Sequence, residues 1–255
     1  MTNPHAIIEG AEPWEHTGPG PHGVLVLHGF TGNPASMRGL AEAMAAAGHH
    51  VAMPLLPGHG TIVDDMLPKR WADWAGAADA AYARLAARSE RVVVAGLSMG
   101  GALTLRLGAD HPEIAGLVCV NPAVRPLGDE MVQAVDAMLE AGSEVMPGIG
   151  SDIADPESHE KAYSDTPLRA LLSLVHDGLA PLAGDLGSIA MPLLLLSSPQ
   201  DHVVEPAQSD FLAATYGGPV ERVSLERSYH VATQDYDKDL INERAVEFVE
   251  RVTRS

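Results

Sequence analysis

The stretch Gly96-Leu97-Ser98-Met99-Gly100 follows directly on the apolar run Arg91-Val92-Val93-Val94-Ala95. A β-branched apolar run of that length reads as a buried strand. The residues after it, Gly101-Ala102-Leu103-Thr104-Leu105-Arg106-Leu107, read as a helix. A serine between a strand and a helix sits on a tight turn that pushes its hydroxyl into the open. The flanking glycines suit such a turn because its backbone is crowded and strained. The alternative for the same five residues is an ordinary glycine-rich turn.

The rest of the chain supports a strand-and-helix reading. Strands are expected at Val24–Leu27, Val51–Met53, Arg91–Ala95, Ile114–Val120, Met191–Ser197 and Val220–Leu225. Helices are expected at Ser36–Ala47, Ala72–Ala87, Glu205–Thr215 and Asp239–Val252. Such alternation implies an α/β fold, a mostly parallel sheet with helices on both faces. From Arg125 to Ile189 no strong strand is visible, only helical pieces at Gly128–Ala141, Pro156–Tyr163 and Pro167–Leu174. That segment is expected to be an insertion over the carboxyl edge of the sheet, the edge where open α/β sheets bind ligands. The expected organisation is a core from 1–124 and 190–255, interrupted by an inserted unit at 125–189.

Serine chemistry needs a base to take the hydroxyl proton and an acid to orient that base. The chain order for a nucleophile on this kind of turn is Ser, then Asp or Glu, then His. Asp201 follows the strand Met191–Ser197, and His230 follows Val220–Leu225. Both fall just past carboxyl ends of strands, as Ser98 does. The chain holds 12 histidines, so position must choose among them. His5, His16 and His22 precede the first clear strand, His49, His50 and His111 follow helices, and His159 and His176 lie in the insertion. His202 is the rival because it adjoins Asp201, yet sequence neighbours usually point apart. The oxyanion donors are then the N–H of Met99, after the nucleophile, and the N–H of Phe30 in His28-Gly29-Phe30-Thr31-Gly32. His28 and His59 are expected to brace their loops.

Composition narrows the partners. A net charge of −18 disfavours nucleic acid, whose phosphates need clustered Lys and Arg. No apolar run reaches the roughly 18 residues of a membrane span. Met1-Thr2-Asn3-Pro4-His5 does not read as a secretory leader. The single cysteine, Cys119, lies in an apolar run and is expected to be a buried core thiol. Together these give an expectation of a cytoplasmic protein. Asp64 and Asp65 lack partners at metal-ligand spacing, so no metal is expected, and no cofactor motif is present. A transient contact with lipid aggregates and a homodimer both stay compatible with the sequence.

The motifs His28-Gly29-Phe30-Thr31-Gly32, Pro57-Gly58-His59-Gly60, Gly96-Leu97-Ser98-Met99-Gly100-Gly101, Asp201-His202-Val203-Val204 and Ser228-Tyr229-His230-Val231-Ala232-Thr233 together resemble the bacterial monoacylglycerol lipases and the related small carboxylesterases. The resemblance runs from about Gly10 to the C-terminus and implies an α/β-hydrolase. It implies a serine hydrolase with Ser98, Asp201 and His230 as triad, acting on a small-molecule lipid ester. It also implies that the insertion is a small cap over an apolar acyl tunnel. By the same resemblance, Glu160 matches a cap glutamate that binds glycerol hydroxyls, and Ile149 a cap residue guarding the tunnel. The alternatives are a solvated helix residue for Glu160 and a plain apolar contact for Ile149. A general carboxylesterase is the rival activity, since the triad alone does not select the alcohol. Carbon–carbon bond and thioester hydrolysis use related constellations. A non-catalytic binding protein of the same fold is the reading from another class.

Overall fold

In a pleated strand, successive side chains face opposite sides, and this chain has apolar residues to fill both. The computed structural model describes residues 5–254. Strands and helices first alternate as β1 (Trp14–His16), β2 (Gly23–Leu27), α1 (Arg38–Ala46), β3 (His50–Met53), α2 (Trp71–Ala86), β4 (Val92–Leu97), α3 (Met99–Asp110) and β5 (Gly116–Val120). The chain then leaves the sheet for α4 (Asp129–Glu140), the short strands β6 (Val145–Pro147) and β7 (Asp165–Pro167), α5 (Leu168–Ser173) and α6 (Ala180–Asp185). It returns with β8 (Leu193–Ser197), α7 (Ala207–Thr215), β9 (Val220–Ser224) and α8 (Lys238–Thr253).

The main sheet has seven strands in the order β1-β3-β2-β4-β5-β8-β9. All neighbours are parallel except β1, which pairs antiparallel with β3 through Trp14 opposite Met53 and His16 opposite Val51. Leu25, Leu27, Val94, Leu117, Leu193 and Leu195 face one side and pack against α2 and α3. Val24, Val26, Val93, Val118, Leu194 and Leu196 face the other and pack against α1 and α8. Each buried Leu or Val contributes about 1.5–3 kcal/mol. Central strands buried on both faces therefore read as unbroken apolar runs. Cys119 lies among them, fully buried and not disulfide-bonded.

Three segments differ from the sequence expectation. The strand β1 was not expected, because Trp14-Glu15-His16 is short and half polar. β6 and β7 form a two-stranded pair of three residues each within the inserted stretch. Residues 156–163 are not helical. The Asp155 side chain accepts the Glu157 N–H at 3.0 Å, closing a local turn. Beyond it the backbone bonds outward: Glu160 N–H donates to Ser151 Oγ at 3.0 Å, and Tyr163 N–H to Thr31 O at 3.1 Å. Donors committed to neighbouring loops do not serve a helix. The expected helix at 167–174 is present and runs through a π-helical turn, Leu174–Leu179, into α6. Leu174, Leu179 and Leu182 from this stretch join the core beside α2 and α3.

One crossing fixes the centre of the sheet. A Cβ on Gly100 would stand 2.2 Å from Leu27 O, and one on Gly96 would stand 2.1 Å from Gly100 O. The obstacle in both cases is backbone, which cannot swing aside. Gly100→Ala is therefore expected to destabilise the fold by more than about 3 kcal/mol, as overpacking against fixed backbone does. Urea unfolding measures this, and a wild-type midpoint for the variant would contradict the contact.

Candidate active site

The serine turn takes its shape from that crossing. β4 ends at Leu97, α3 begins at Met99, and Ser98 between them has φ 57° and ψ −119°. A non-glycine residue at that φ is strained and is held only where surrounding structure over-determines it. Ser98 is held by its N–H donating to Val120 O at 3.1 Å and its carbonyl accepting from Ala123 N–H at 3.2 Å. Gly29 lies behind it, where an added Cβ would stand 3.3 Å from Ser98 Cβ. Among the described residues, the N–H groups of Phe30 and Met99 donate to no protein acceptor. Met99 N–H also lies at the N-terminus of α3, the positive end of its dipole.

Two loops bring the remaining groups. The loop after β8 carries Asp201, and the loop after β9 carries His230. His230 Nδ1–H donates to Asp201 Oδ2 at 2.8 Å, and the side chains are 7% and 2% exposed. The other carboxylate oxygen of Asp201 accepts the N–H groups of Val203 and Val204, both at 2.8 Å. Two such bonds fix the plane of the carboxylate. His202, the sequence rival, turns away from Asp201. Its Nδ1 pairs with Asp152 Oδ1 at 2.8 Å, and its side chain is 58% exposed.

Ser98 and His230 line one cavity of about 400 Å³, together with Phe30 and Glu160. No hydrogen bond joins Ser98 Oγ to His230, and such bonds often tighten only when substrate is bound. Leu171, Leu174, Val175 and Leu179 supply an apolar wall. Ile149 borders the same cavity and is 67% exposed. Glu160 is half-buried, with Oε1 only 2.7 Å from where a Cβ on Gly32 would be. Burial pushes its carboxyl up to about 7, against the opposing pull of a positive His230. Among the described residues, no group of three metal-ligating side chains is found.

The loop histidines act as braces. His28 Nδ1–H donates to Gly29 O at 3.0 Å, and its Nε2 accepts the Leu56 N–H at 3.1 Å. His59 Nδ1–H donates to Pro57 O at 3.2 Å, and its ring meets Trp74 edge-on at 5.8 Å. Burial lowers the His28 pKa to about 4, with the Gly29 bond opposing. His59 is held well below the ordinary histidine value by burial and by His28.

Several positioning groups were not visible in the sequence. Asn121, at the end of β5, has φ 42°. Its Oδ1 accepts the Ser198 N–H at 2.8 Å, and its Nδ2 donates to His230 O at 2.8 Å. Asp235 is fully buried and accepts N–H groups from Ala154, Asp155, Tyr229 and Tyr236. Asp237 accepts from Arg227 N–H and Ser228 Oγ, both at 2.9 Å. Each is a single Asn or Asp with no motif of its own, and only its contacts reveal its part.

Comparison with known proteins places these features in context. The family model described as serine aminopeptidase, S33, matches residues 21–237. A thermostable monoacylglycerol lipase of Bacillus sp. (strain H-257) is 42% identical over 252 residues, covering 97% of this chain and 98% of the relative. A carboxylesterase of Bacillus subtilis (strain 168) is 26% identical, covering 91% and 94%. A solved structure from work on LipS and LipT, two metagenome-derived lipolytic enzymes, superposes with a TM-score of 0.91 at 40% identity, covering 96% of this chain and 100% of that one.

The buried His28 makes the loop after β2 sensitive to acid. An unfolded histidine binds its proton near the ordinary 6.5, and folded His28 only near 4. Between those values the unfolded state holds more protons, so folding loses stability as pH falls. The His28 contribution is complete above pH 6.5 and declines towards pH 4 by roughly 3 kcal/mol. Urea midpoints measured from pH 7.5 to 4.5 should fall less steeply in His28→Asn than in wild type. Parallel slopes would remove His28 as a source of the acid sensitivity.

Proposed function

We propose, for a chain that belongs to the hydrolase family described as serine aminopeptidase, S33, that its substrate is a monoacylglycerol, cleaved to fatty acid and glycerol. The chain is an ester hydrolase of the α/β-hydrolase fold, with a lipase and a carboxylesterase among its relatives. The observation that carries the finer reading is Glu160. A carboxyl group shares the cavity of Ser98 and His230 with the apolar side chains of Leu171, Leu174, Val175 and Leu179, so the site offers both polar and apolar lining. A monoacylglycerol combines the same two characters.

In this reading His230 Nε2 takes the Ser98 proton as the hydroxyl attacks the ester carbonyl. Asp201 holds the Nδ1 proton, which leaves Nε2 as the accepting nitrogen and stabilises the imidazolium that forms. The free N–H groups of Phe30 and Met99 receive the oxyanion. His230 then protonates the departing glycerol, and water activated by the same ring releases the fatty acid. Residues 125–189 act as the cap: Leu171, Leu174, Val175 and Leu179 hold the acyl chain, Ile149 borders the entrance, and Glu160 takes the glycerol hydroxyls.

Fatty-acid release from 1-lauroylglycerol and methyl laurate, with Ser98→Ala as blank, tests this. Ser98→Ala should lose activity by at least roughly 10³-fold. Glu160→Gln should raise KM for the glycerol ester by roughly 10-fold, a loss of about 1.4 kcal/mol, and leave methyl laurate unchanged. Equal effects on both esters would favour the general carboxylesterase.

Glu160 also gives the selectivity a pH dependence. Its carboxyl is protonated below about pH 7 and ionised above it. A carboxylate accepts hydroxyl protons more strongly than a carboxylic acid does. The ratio of kcat/KM for the two esters should therefore tilt towards the glycerol ester as pH rises through 7. Any pH dependence of the chemistry common to both esters divides out of the ratio. A flat ratio in wild type, matching Glu160→Gln, would contradict the assignment.

A further inference from the structure

We infer that Asp152 is a positioning residue for the reaction, acting through the main chain of the His230 loop. The inference rests on the reading of Ser98, Asp201 and His230 as the reacting groups. Asp152 belongs to the inserted stretch between β5 and β8 and contributes nothing to a recognisable motif. Its side chain is 11% exposed. One carboxylate oxygen, Oδ2, accepts the His230 N–H at 3.0 Å and the His202 N–H at 3.1 Å. The other, Oδ1, pairs with His202 Nδ1 at 2.8 Å. The Asp152 carbonyl accepts the Val231 N–H at 3.1 Å.

One side chain therefore spans the two loops that must meet. His202 adjoins Asp201, and His230 is the partner of Asp201. These loops leave different strands, β8 and β9, and the 2.8 Å contact between His230 and Asp201 depends on their relative height above the sheet. A common acceptor for both N–H groups sets that height. Asp235 extends the same fastening by binding Ala154 and Asp155 on one side and Tyr229 on the other. The stretch 152–155 is thus stitched to the His230 loop and holds it from above, while Asn121 holds it from below. The ring of His202, stacked edge-on against Tyr229 at 4.6 Å, is an outward appendage of this arrangement.

The role separates from a general structural one because a single oxygen holds both N–H groups. Asparagine keeps such an oxygen and loses the charge and the second oxygen, whose place beside His202 an NH2 group takes. Alanine loses both oxygens, and glutamate keeps the charge but moves it by one methylene. The experiment measures kcat and KM on p-nitrophenyl butyrate, which carries no glycerol, and the rate at which a fluorophosphonate labels Ser98. Melting curves establish that each protein is folded. Asp152→Ala and Asp152→Glu should lower kcat and the labelling rate together by roughly 10- to 100-fold, as small misplacements of a reacting group do, with KM little changed. Asp152→Asn should recover most of the loss, and His202→Ala should label at close to the wild-type rate. Should alanine not fold, the glutamate and asparagine variants decide the question alone. Wild-type labelling of a folded Asp152→Ala or Asp152→Glu protein would overturn the inference and leave the proposed function standing. An asparagine variant as slow as the glutamate variant would overturn it too. A wild-type enzyme that is not labelled at Ser98 would instead bring down the reading on which it rests.

Discussion

The close approach of the α3 N-terminus to β2 sets the geometry on which the rest of the site depends. Gly100 lies so near the carbonyl of Leu27 that no side chain fits between them. That contact drives β4 straight into α3, and Ser98 takes up the turn at φ 57°. It also ends β2 beside the serine, so His28, Gly29 and Phe30 pass close to the hydroxyl. Ser98 and the unpaired N–H groups of Phe30 and Met99 are thus set by one backbone crossing rather than by two independent loops.

The second half of the site is placed differently. Asp201 and His230 sit on loops, whose natural tendency is mobility. They are held by buried polar side chains that accept or donate several main-chain bonds each. Asn121, Asp152, Asp235 and Asp237 divide this work. A fully satisfied buried network is rigid, and a broken one exposes several unpaired donors at once. The inserted stretch therefore does two things. Its apolar side chains wall the cavity and its carboxylate, Asp152, fastens the loops beneath.

Much of the architecture was legible from residue pattern. Strands buried on both faces appear as continuous apolar runs, so β2, β4, β5 and β8 were visible within a residue or two. The helix α1 showed through apolar spacing and through Gly48 after its end, and α2 through its run of alanines. β1 was missed because a three-residue edge strand has too few side chains to show a period. Residues 156–163 looked helical by local composition, yet Glu157 N–H closes a turn on Asp155, Glu160 N–H reaches Ser151 and Tyr163 N–H reaches the distant Thr31.

Local pattern was enough for the central strands, the helices that flank them and the serine turn. These depend on local propensity, on periods of two and 3.6 residues, and on glycine where a Cβ does not fit. Chain order and strand position pointed to Asp201 with His230, but tertiary structure alone showed what holds that pair and brought Asp152 to His202. Asp201 adjoins His202 in the chain, but pairs with His230; His202 pairs with Asp152, 50 residues away. Neighbouring side chains on an extended backbone point apart, so such pairings arise only when loops from separate strands are brought to the same edge. The environment of Glu160 is a tertiary matter for the same reason. A carboxyl group is pushed up to about 7 by what surrounds it in space, and its sequence neighbours do not record that burial.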